Sequence, residues 1–519
     1  MFFSKKNGKL PWTPEAENLI KKVPPFIVSF VRKSAEREAA KRCLNEVTEE
    51  LLQELAKRRS PHRSEKFKLN DLFAKKTKNP LYNAFSEDSL TNDHSSKLGT
   101  GIHENNYPEA WETAAKRLDE GSEKALYIHI PFCTTRCKYC GFFVNGSIPG
   151  ALETYTKYLI RELEMIRNTE GIGDKLFDIV YFGGGTPNDL SAGSLAKILD
   201  AVNKFNLSED CEITLEGRIS SLSSEKIDIC QEYGVNRYSL GVQSFNTTLR
   251  RSMGRLSSRE EIITALQRLH KNEINAVVID QIYGFPQQTM AIWEEDIKTL
   301  FTECPISGVD HYPLILMPGT PLFDALSSGK ISGLPSAVDR AKMFCRSLEL
   351  MEEYGAKRIS LKHFALDSRE RNRYNRLQAY TGNCIPAGCG GGGSFGGYFF
   401  YQGGTLENYY ETLDRRKKPL TQVTPITPED ALMNQLTGAI QNDFSFSINK
   451  IQQSSNWTGF DLTECFLPLL EQYENCGLLY IETDGKIVLT EAGQFWNNAV
   501  FQNLRTLFRH VLKQGKISK

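Results

Sequence analysis

The stretch "IHIPFCTTRCKYCGFF", residues 128–143, places three cysteines close together directly after an apolar, strand-like run. Cys133, Cys137 and Cys140 follow a C-x3-C-x2-C spacing, which suits three thiolates that surround one cubane iron-sulfur cluster and leave the fourth iron open. Two other sites compete with a cluster. A structural zinc site needs four ligands, for which "NCIPAGC" (Cys384 and Cys389) is the nearest argument, and a redox dithiol needs only "CKYC", which leaves Cys133 without a role. The spacing favours the cluster.

Length and composition indicate a protein with more than one folded unit. The chain has 519 residues, and a single hydrophobic core stops growing near ~250 to 300 residues. The formal net charge is zero, with 24% charged and 40% hydrophobic residues, which gives no electrostatic reason to expect nucleic acid as a partner. The N-terminus lacks the apolar core of a secretory signal, and no apolar run approaches the ~18 residues of a membrane span. We therefore expect a cytoplasmic protein with no membrane span.

Changes in composition along the chain predict four parts. Residues 1–60 carry helical spacing and predict a small helical domain, whereas residues 61–106 are polar, lack a sustained period and predict a flexible linker. Residues 107–424 predict a barrel with a glycine-rich extension. Residues 425–519 predict helices followed by two strands around an Asp-Gly turn, an order typical of a winged-helix-like domain that serves as a lid. Acidic residues outnumber basic ones after residue 425, which argues against DNA binding by this part.

Short β-rich runs alternate with amphipathic segments in the central part of the chain. Examples are "ALYIHI", "FDIVYF", "CEITLEG" and "AVVIDQIYG". This alternation predicts an α/β fold, a partial (β/α)6 TIM-like barrel with a parallel sheet. Chemistry in such barrels lies at the carboxyl ends of the strands, where the three cysteines, "GGGTP", Glu216, Gln243 and Asp280 fall.

The cysteine trio, its "YIHIPFC" lead-in and "GGGTP" at residues 183–187 resemble the radical S-adenosylmethionine (SAM) enzymes related to oxygen-independent coproporphyrinogen III oxidase. The resemblance covers residues 123–500. It implies that Cys133, Cys137 and Cys140 bind a 4Fe-4S cluster whose open iron chelates SAM. One electron delivered through the cluster then cleaves SAM to a 5'-deoxyadenosyl radical, while the protein contributes positioning and excludes water.

The resemblance also implies a set of SAM contacts at matching positions. Contacts with a first SAM fall on Tyr127, Tyr139, Gly184, Gly185, Thr186 and Glu216, and contacts with a second SAM fall on Gln243, Arg255 and Asp280. Glycines suit this role because they let the backbone approach a ligand closely.

Departures from the coproporphyrinogen oxidase pattern indicate a particular branch. Those enzymes carry another cysteine two positions past the trio, where this chain has Phe142. The combination of "YCGFF", "HFALDSRERNRYN" (363–375) and "GCGGGGSFGGYFFYQ" (388–402) resembles the anaerobilin synthases, radical SAM methyltransferases of anaerobic heme degradation. That branch implies heme as substrate, two SAM molecules, and a low-potential electron donor such as flavodoxin or a flavin reductase. A coproporphyrinogen dehydrogenase and a non-enzymatic heme chaperone stay open as alternatives.

The remaining conspicuous residues allow two interpretations each. Residues 12–42 resemble a small domain of light-independent protochlorophyllide reductase, so residues 11–58 either cover or recruit the porphyrin or form a generic dimerisation unit. His311 and His363 either contact heme iron and move protons or are structural. The aromatic run either stacks on a macrocycle or belongs to the core, and its members are Phe395, Tyr398, Phe399, Phe400 and Tyr401.

Overall fold

The computed structural model of the protein describes residues 10–20, 31–32, 35–36, 38–39, 42, 44–59, 67–90, 100–119, 121–142, 145–148, 150–271 and 275–514. The strands are, in chain order, β1 (Lys124–Ile130), β2 (Phe132–Cys133), β3 (Asn145–Gly146), β4 (Phe177–Gly184), β5 (Leu207–Gly217), β6 (Arg237–Gln243), β7 (Ala276–Tyr283), β8 (Gly308–Pro313), β9 (Lys357–Arg358), β10 (His363–Ala365), β11 (Asn383–Ala387), β12 (Gly392–Phe395), β13 (Tyr398–Tyr401), β14 (Gln422–Pro425), β15 (Ser445–Ser447), β16 (Leu479–Ile481) and β17 (Lys486–Leu489).

The helices alternate with the barrel strands and surround them. In chain order the α-helices are Pro14–Ile20, Glu49–Arg59, Pro80–Asn83, Tyr107–Lys116, Ala151–Arg167, Ala192–Val202, Ser224–Glu232, Thr247–Ser252, Arg259–His270, Met290–Glu303, Pro321–Ser327, Ala337–Glu353, Arg373–Ala379, Leu406–Asp414, Pro428–Asp443, Ile448–Ser454, Leu462–Asn475, Glu491–Phe495 and Asn497–Gln514. None of the described helices is long and apolar enough to cross a membrane.

One large sheet of the described chain forms the barrel wall, in the order β11-β1-β4-β5-β6-β7-β8-β10-β9. Strands β1, β4, β5, β6, β7 and β8 are parallel, and β10 pairs antiparallel with β8. The prediction of an α/β fold with a partial TIM-like barrel is therefore confirmed. Because the strands are parallel, their carboxyl ends meet at one rim, and the loops at this rim are placed to build a site.

Alternation along the strands separates an apolar outer face from a polar inner face. Leu126, Ile128 and Ile130 of β1 belong to the main hydrophobic core, which the helices cover. Tyr127 and His129 are the intervening residues of the same strand and are only partly buried. Because strand side chains alternate with a period of two, β1 buries one face under the helices and turns the other to the barrel interior.

The glycine-rich segment forms ordered strands that extend the barrel. Strand β11 pairs with β1 in parallel, and β12, β13 and β14 form a separate antiparallel sheet. A Cβ atom at Gly388, whose φ is +94°, would lie 2.4 Å from the carbonyl oxygen of His129. Glycine is required at this position because any side chain would push the segment off β1. Phe395 and Phe400 are buried against Trp111, which confirms the core interpretation for these two rings.

The C-terminal part has the expected winged-helix-like order. Helices Pro428–Asp443, Ile448–Ser454 and Leu462–Asn475 precede the hairpin of β16 and β17, and β15 adds a third antiparallel strand. Near the N-terminus, a bridge joins Trp12 to Val47 and a small separate core lies between helices, in agreement with the expected helical unit.

The linker prediction for residues 61–106 is wrong for residues 67–90. This segment packs against the C-terminal unit, where Tyr473 donates a hydrogen bond to the Leu72 carbonyl at 3.0 Å and Trp496 donates one to the Leu81 carbonyl at 2.9 Å. Ala84 is fully buried. A few anchored residues hold the segment in place, although its sequence has no hydrophobic periodicity. The groove that receives them is formed by residues about 400 positions away, so the local sequence does not reveal it. Residues 61–66 and 91–99 of the predicted linker lie outside the described residues.

Candidate active site

The loop that carries the three cysteines is fastened to the barrel rim on both sides. The backbone N–H and the hydroxyl of Thr134 donate to Asp189 at 2.7 and 2.8 Å. On the other side, the Lys138 N–H donates to the Met253 carbonyl at 3.0 Å. Arg218 donates to the Thr135 carbonyl at 2.7 Å. The loop leaves β1 at the carboxyl end and is thereby fixed above the barrel interior.

None of the three cysteines forms a disulfide with another described residue, and their surroundings differ. Cys133 and Cys137 are buried, whereas Cys140 is partly exposed. Burial opposes ionisation of Cys137, but the charges of Arg255 and Arg218 outweigh it and lower the pKa of this thiol. Burial raises the pKa of Cys133. Iron binds thiolates, so the two guanidinium groups favour the form of Cys137 that a cluster requires.

The geometry of the loop suits a polynuclear cluster. Within the described parts of the chain, no three His, Cys, Asp or Glu side chains surround a single metal ion. A cubane cluster does not need such a site, because each thiolate binds a different iron. Three thiols on one fastened loop, with a guanidinium Nη1 of Arg255 at 3.4 Å from the Cys137 Sγ, fit the group that the spacing predicted.

The "GGGTP" loop after β4 lies directly against the cysteine loop. Thr186 is buried, its N–H donates to the Phe132 carbonyl at 2.8 Å, and its hydroxyl oxygen lies 3.3 Å from the Cys133 Sγ. A Cβ at Gly185 would lie 2.4 Å from the Phe132 carbonyl oxygen, and one at Gly184 would lie 2.7 Å from the His129 ring. The glycines therefore have a packing role between two protein segments, which sequence analysis did not predict.

Tyr127 and Glu216 both face the barrel interior. The Tyr127 hydroxyl lies 2.9 Å from the Nδ1 atom of His129, and the Tyr127 ring stacks near Tyr181. Tyr181 in turn donates a 2.6 Å hydrogen bond to the Glu216 carboxylate. Burial raises the pKa of Glu216. Strands β1, β4 and β5, which are neighbours in the sheet, therefore present two tyrosine rings and an acidic group to the interior.

Gln243, Arg255 and Asp280 gather at the ends of β6 and β7. Gln243 has a φ of 71°, and its Oε1 atom is buried without a hydrogen-bond partner among the described residues. Arg255 donates to the Gly241 carbonyl, and Gly241 pairs with Asp280 in the sheet register. Burial, together with the nearby carboxylates of Asp310 and Glu216, raises the pKa of Asp280 to about 7.

Tyr139 completes the predicted set on the cysteine loop. Its ring packs 5.2 Å from the ring of Phe285, and burial raises its pKa. The electrostatic influence of Arg255 on Tyr139 and on Cys137 places these groups beside one another. The tertiary structure thus brings the predicted residues together at one rim of the barrel.

A buried charged cluster deeper in the barrel was not predicted. His363 lies 2.9 Å from Asp310 and 3.1 Å from Glu370, and Arg237 holds Glu370 with two hydrogen bonds at 2.9 and 3.0 Å. Burial disfavours the imidazolium, but the two carboxylates outweigh it and raise the pKa of His363 to about 9. Both ring nitrogens of His363 face carboxylates, so its observed role is to neutralise them. The available signal was "HFALDSRERN", which contains both His363 and Glu370.

An aromatic stack closes the interior beside this cluster. Tyr374, from the helix Arg373–Ala379, stacks on Tyr181 with ring centroids 3.9 Å apart and an interplanar angle of 18°. The Tyr127 ring lies 5.8 Å from Tyr374 on the other side. Sequence analysis missed Tyr374 because its contacts depend on the chain crossing the barrel.

Comparison with known proteins identifies the family. Residues 127–300 match the Radical SAM superfamily. Anaerobilin synthase of Escherichia coli O157:H7 is 33% identical over 402 residues, which cover 77% of this chain and 88% of that protein. The chain belongs to the radical SAM superfamily. Its branch is that of the coproporphyrinogen III oxidase-like enzymes.

Further relatives place this radical SAM protein within the branch. The heme chaperone HemW of Bacillus subtilis (strain 168) is 27% identical over 383 residues, which cover 73% of this chain and 98% of that protein. The structure of coproporphyrinogen III oxidase (HemN) from Escherichia coli superposes with a TM-score of 0.67 at 21% identity, over 81% of this chain and 96% of that one. At that identity the likeness shows a shared fold. Residues 12–55 match the family Proto-chlorophyllide reductase 57 kD subunit.

Membership of the superfamily implies a 4Fe-4S cluster and SAM. Cys133, Cys137 and Cys140 are the residues of this chain that would hold the cluster, and their loop fits it as described above.

Proposed function

We propose that this protein is a radical SAM methyltransferase that methylates heme and opens its macrocycle to a linear tetrapyrrole, with release of iron under anaerobic conditions. The similarity to anaerobilin synthase supports this activity. The position after the cysteine trio supports it as well, because Phe142, 64% exposed, stands where coproporphyrinogen oxidases have a further cysteine.

The observation that carries the proposal is a pair of acceptors without partners on the inner barrel face. No hydrogen bond from the described residues reaches the Asp280 carboxylate or the Gln243 Oε1 atom. Buried acceptors are costly unless a ligand satisfies them. A second SAM, with its ammonium and ribose hydroxyl groups, offers the hydrogen-bond donors that these two side chains lack. A methyl donor in addition to the radical source is what a methyltransferase of this type needs.

Each residue of the site has a separate task in this proposal. The cluster and SAM, when bound, supply the radical chemistry. Arg255 stabilises the Cys137 thiolate on one side and the Asp280 carboxylate on the other. Glu216, fixed by Tyr181, orients the first SAM, while Tyr127 and Tyr139 cover it and exclude water.

The N-terminal and C-terminal parts of the chain control how the substrate reaches the barrel. We assign residues 1–60 to porphyrin recruitment, residues 107–424 to catalysis and residues 425–519 to a lid. The packing of residues 67–90 on the C-terminal unit ties the lid to the segment that follows the N-terminal unit. Electrons come from a low-potential donor such as flavodoxin or a flavin reductase, and the protein works in the cytoplasm.

An anaerobic assay tests the proposal against its two alternatives. Cluster-reconstituted protein is incubated with SAM, a low-potential reductant and heme, and is followed by absorbance and mass spectrometry. Loss of the Soret band with a methylated linear product supports heme opening. Heme that stays intact and protein-bound supports a chaperone activity, for which the similarity to HemW speaks. Decarboxylation of coproporphyrinogen in a parallel reaction supports the dehydrogenase.

A further inference from the structure

Three segments of the chain meet on the side of the cysteine loop that faces solvent. They are residues 134–138, residues 218–221 and residues 250–257. Arg218 donates to the Thr135 carbonyl at 2.7 Å, which joins the first two segments. A Cβ at Gly254 would lie 3.1 Å from the Arg136 carbonyl oxygen, so the third segment lies against the first. Side chains of all three segments line one small pocket, and the segments therefore form a continuous surface beside the cysteines.

Every charged side chain in these three segments is basic. The chain as a whole has 63 basic and 63 acidic residues, so this excess of positive charge is local. The carboxylate of Asp189 borders the surface, where it accepts hydrogen bonds from Thr134 and Ser221. Six cations against this carboxylate leave the surface with a net positive charge. We call it the cationic surface, and its charged members are Arg136, Lys138, Arg218, Arg250, Arg251 and Arg255.

The outer part of the cationic surface is open to a partner. Arg136, Lys138 and Arg251 are exposed, and neither Lys138 nor Arg251 makes an ion pair with a described residue. Leu256, which lines the small pocket between the segments, is 60% exposed and adds apolar area. Protein interfaces combine apolar contacts with a polar, solvent-accessible rim, and arginine is enriched in them. The composition of this surface therefore suits another protein.

Arg255 connects the cationic surface to the cysteines. Its Nη1 atom lies 3.4 Å from the Cys137 Sγ, and its side chain also lines the small pocket beside Leu256. Along the chain, Cys137 stands between Arg136 and Lys138. A partner that covers this surface would therefore lie about one side chain away from a predicted cluster ligand.

We propose that the cationic surface docks an acidic electron-donor protein that carries a reduced flavin. The inference rests on the proposed function, which requires a low-potential donor. Opposite charges steer the encounter of two proteins and fix their orientation. The contact of Arg255 with Cys137 favours a redox partner over other polyanions, since the electron has to enter through the cluster. One electron passes from the flavin to the cluster, so the flavin is oxidised, the cluster is reduced and no atom is transferred.

Stopped-flow reduction of the reconstituted cluster tests this surface without heme turnover. Reduced flavodoxin, an acidic flavoprotein, and photoreduced 5-deazariboflavin, a small uncharged reductant, are each mixed with the wild type, Lys138→Glu, Arg251→Glu and Lys342→Glu. Lys342 is exposed on the helix Ala337–Glu353, and its reversal changes the net charge by the same amount, so it is the matched control. Iron content and cluster potential are measured for each variant, which separates a damaged or shifted cluster from a docking defect.

We expect Lys138→Glu and Arg251→Glu each to slow reduction by flavodoxin on the order of tenfold at low salt. The difference from the wild type should shrink as salt screens the charges. Deazariboflavin should reduce all four proteins at one rate, and Lys342→Glu should behave like the wild type. The proposal is overturned by wild-type flavodoxin rates in both surface variants, by equal slowing in Lys342→Glu, or by no flavodoxin reduction of a wild-type cluster that deazariboflavin reduces.

Heme titration separates this partner from the carboxylates of the substrate. Heme should bind to Lys138→Glu and Arg251→Glu as it does to the wild type. A selective loss of heme affinity with unchanged flavodoxin rates would assign the surface to the substrate and overturn the donor site. Turnover of heme is measured separately, so failure of the proposed reaction is distinguished from failure of the docking surface.

Discussion

Replacement of Asp280 by asparagine should stabilise the fold and remove methyl transfer. The pKa of Asp280 rises from 3.8 to about 7 through burial and the neighbouring carboxylates. A carboxyl whose folded pKa is raised costs stability as the pH rises above its unfolded pKa, and the cost stops growing above its folded pKa. Each pKa unit corresponds to ~1.4 kcal/mol. The Asp280 carboxylate therefore lowers the free energy of unfolding by about 2 kcal/mol at pH 5.5 and by about 4 kcal/mol at pH 8.

Asparagine keeps the shape of the side chain without the charge, so the variant avoids this cost. Thermal melting of cluster-reconstituted protein without SAM should show a higher melting temperature for Asp280→Asn than for the wild type, with a larger gain at pH 8 than at pH 5.5. In the heme assay, 5'-deoxyadenosine should still form while the methylated product is lost, because the proposed second SAM would lose its negative partner.

A matched control distinguishes a ligand-facing carboxylate from a structural one. Burial likewise raises the pKa of Asp296 to about 7, but its carboxylate accepts hydrogen bonds from the Phe245 N–H at 2.6 Å and the Ser244 hydroxyl at 2.7 Å. Asp296→Asn places an amide NH2 group against donors and should not be stabilised. An equal gain at both pH values for Asp280→Asn, or normal methylation by it, would refute the reasoning about Asp280.

Three further variants test other parts of the molecule. Cys137→Ala removes one thiolate ligand and should abolish SAM cleavage and lower the iron content, and normal values of both would contradict the cluster assignment. Arg237→Met leaves Glu370 as a buried charge with a weaker partner and should destabilise the barrel by about 3 to 5 kcal/mol in denaturant unfolding, so an unchanged midpoint would count against the buried cluster. Deletion of residues 1–60 should weaken heme binding in titrations, and unchanged affinity and turnover would remove the recruitment role.

Local sequence was sufficient for the cysteine loop and the barrel class. The three thiols lie on one loop, and the alternation of strands and helices repeats over short distances, so both could be predicted from residue order. The linker prediction failed where the anchoring groove came from distant residues. The carbonyls of Leu72 and Ala74 accept hydrogen bonds from Tyr473 and Gln472. No sequence pattern near Leu72 predicts the groove that these distant residues form.

The spacing of Cys133, Cys137 and Cys140 by itself determined that this chain offers three thiolates and leaves one ligand position open. The tertiary structure decided what surrounds that position. Arg237 and Glu370 are 133 residues apart, yet they meet inside the barrel and neutralise each other. A loop motif is encoded by neighbours along the chain, whereas buried charges depend on which distant strands and helices the fold brings into contact.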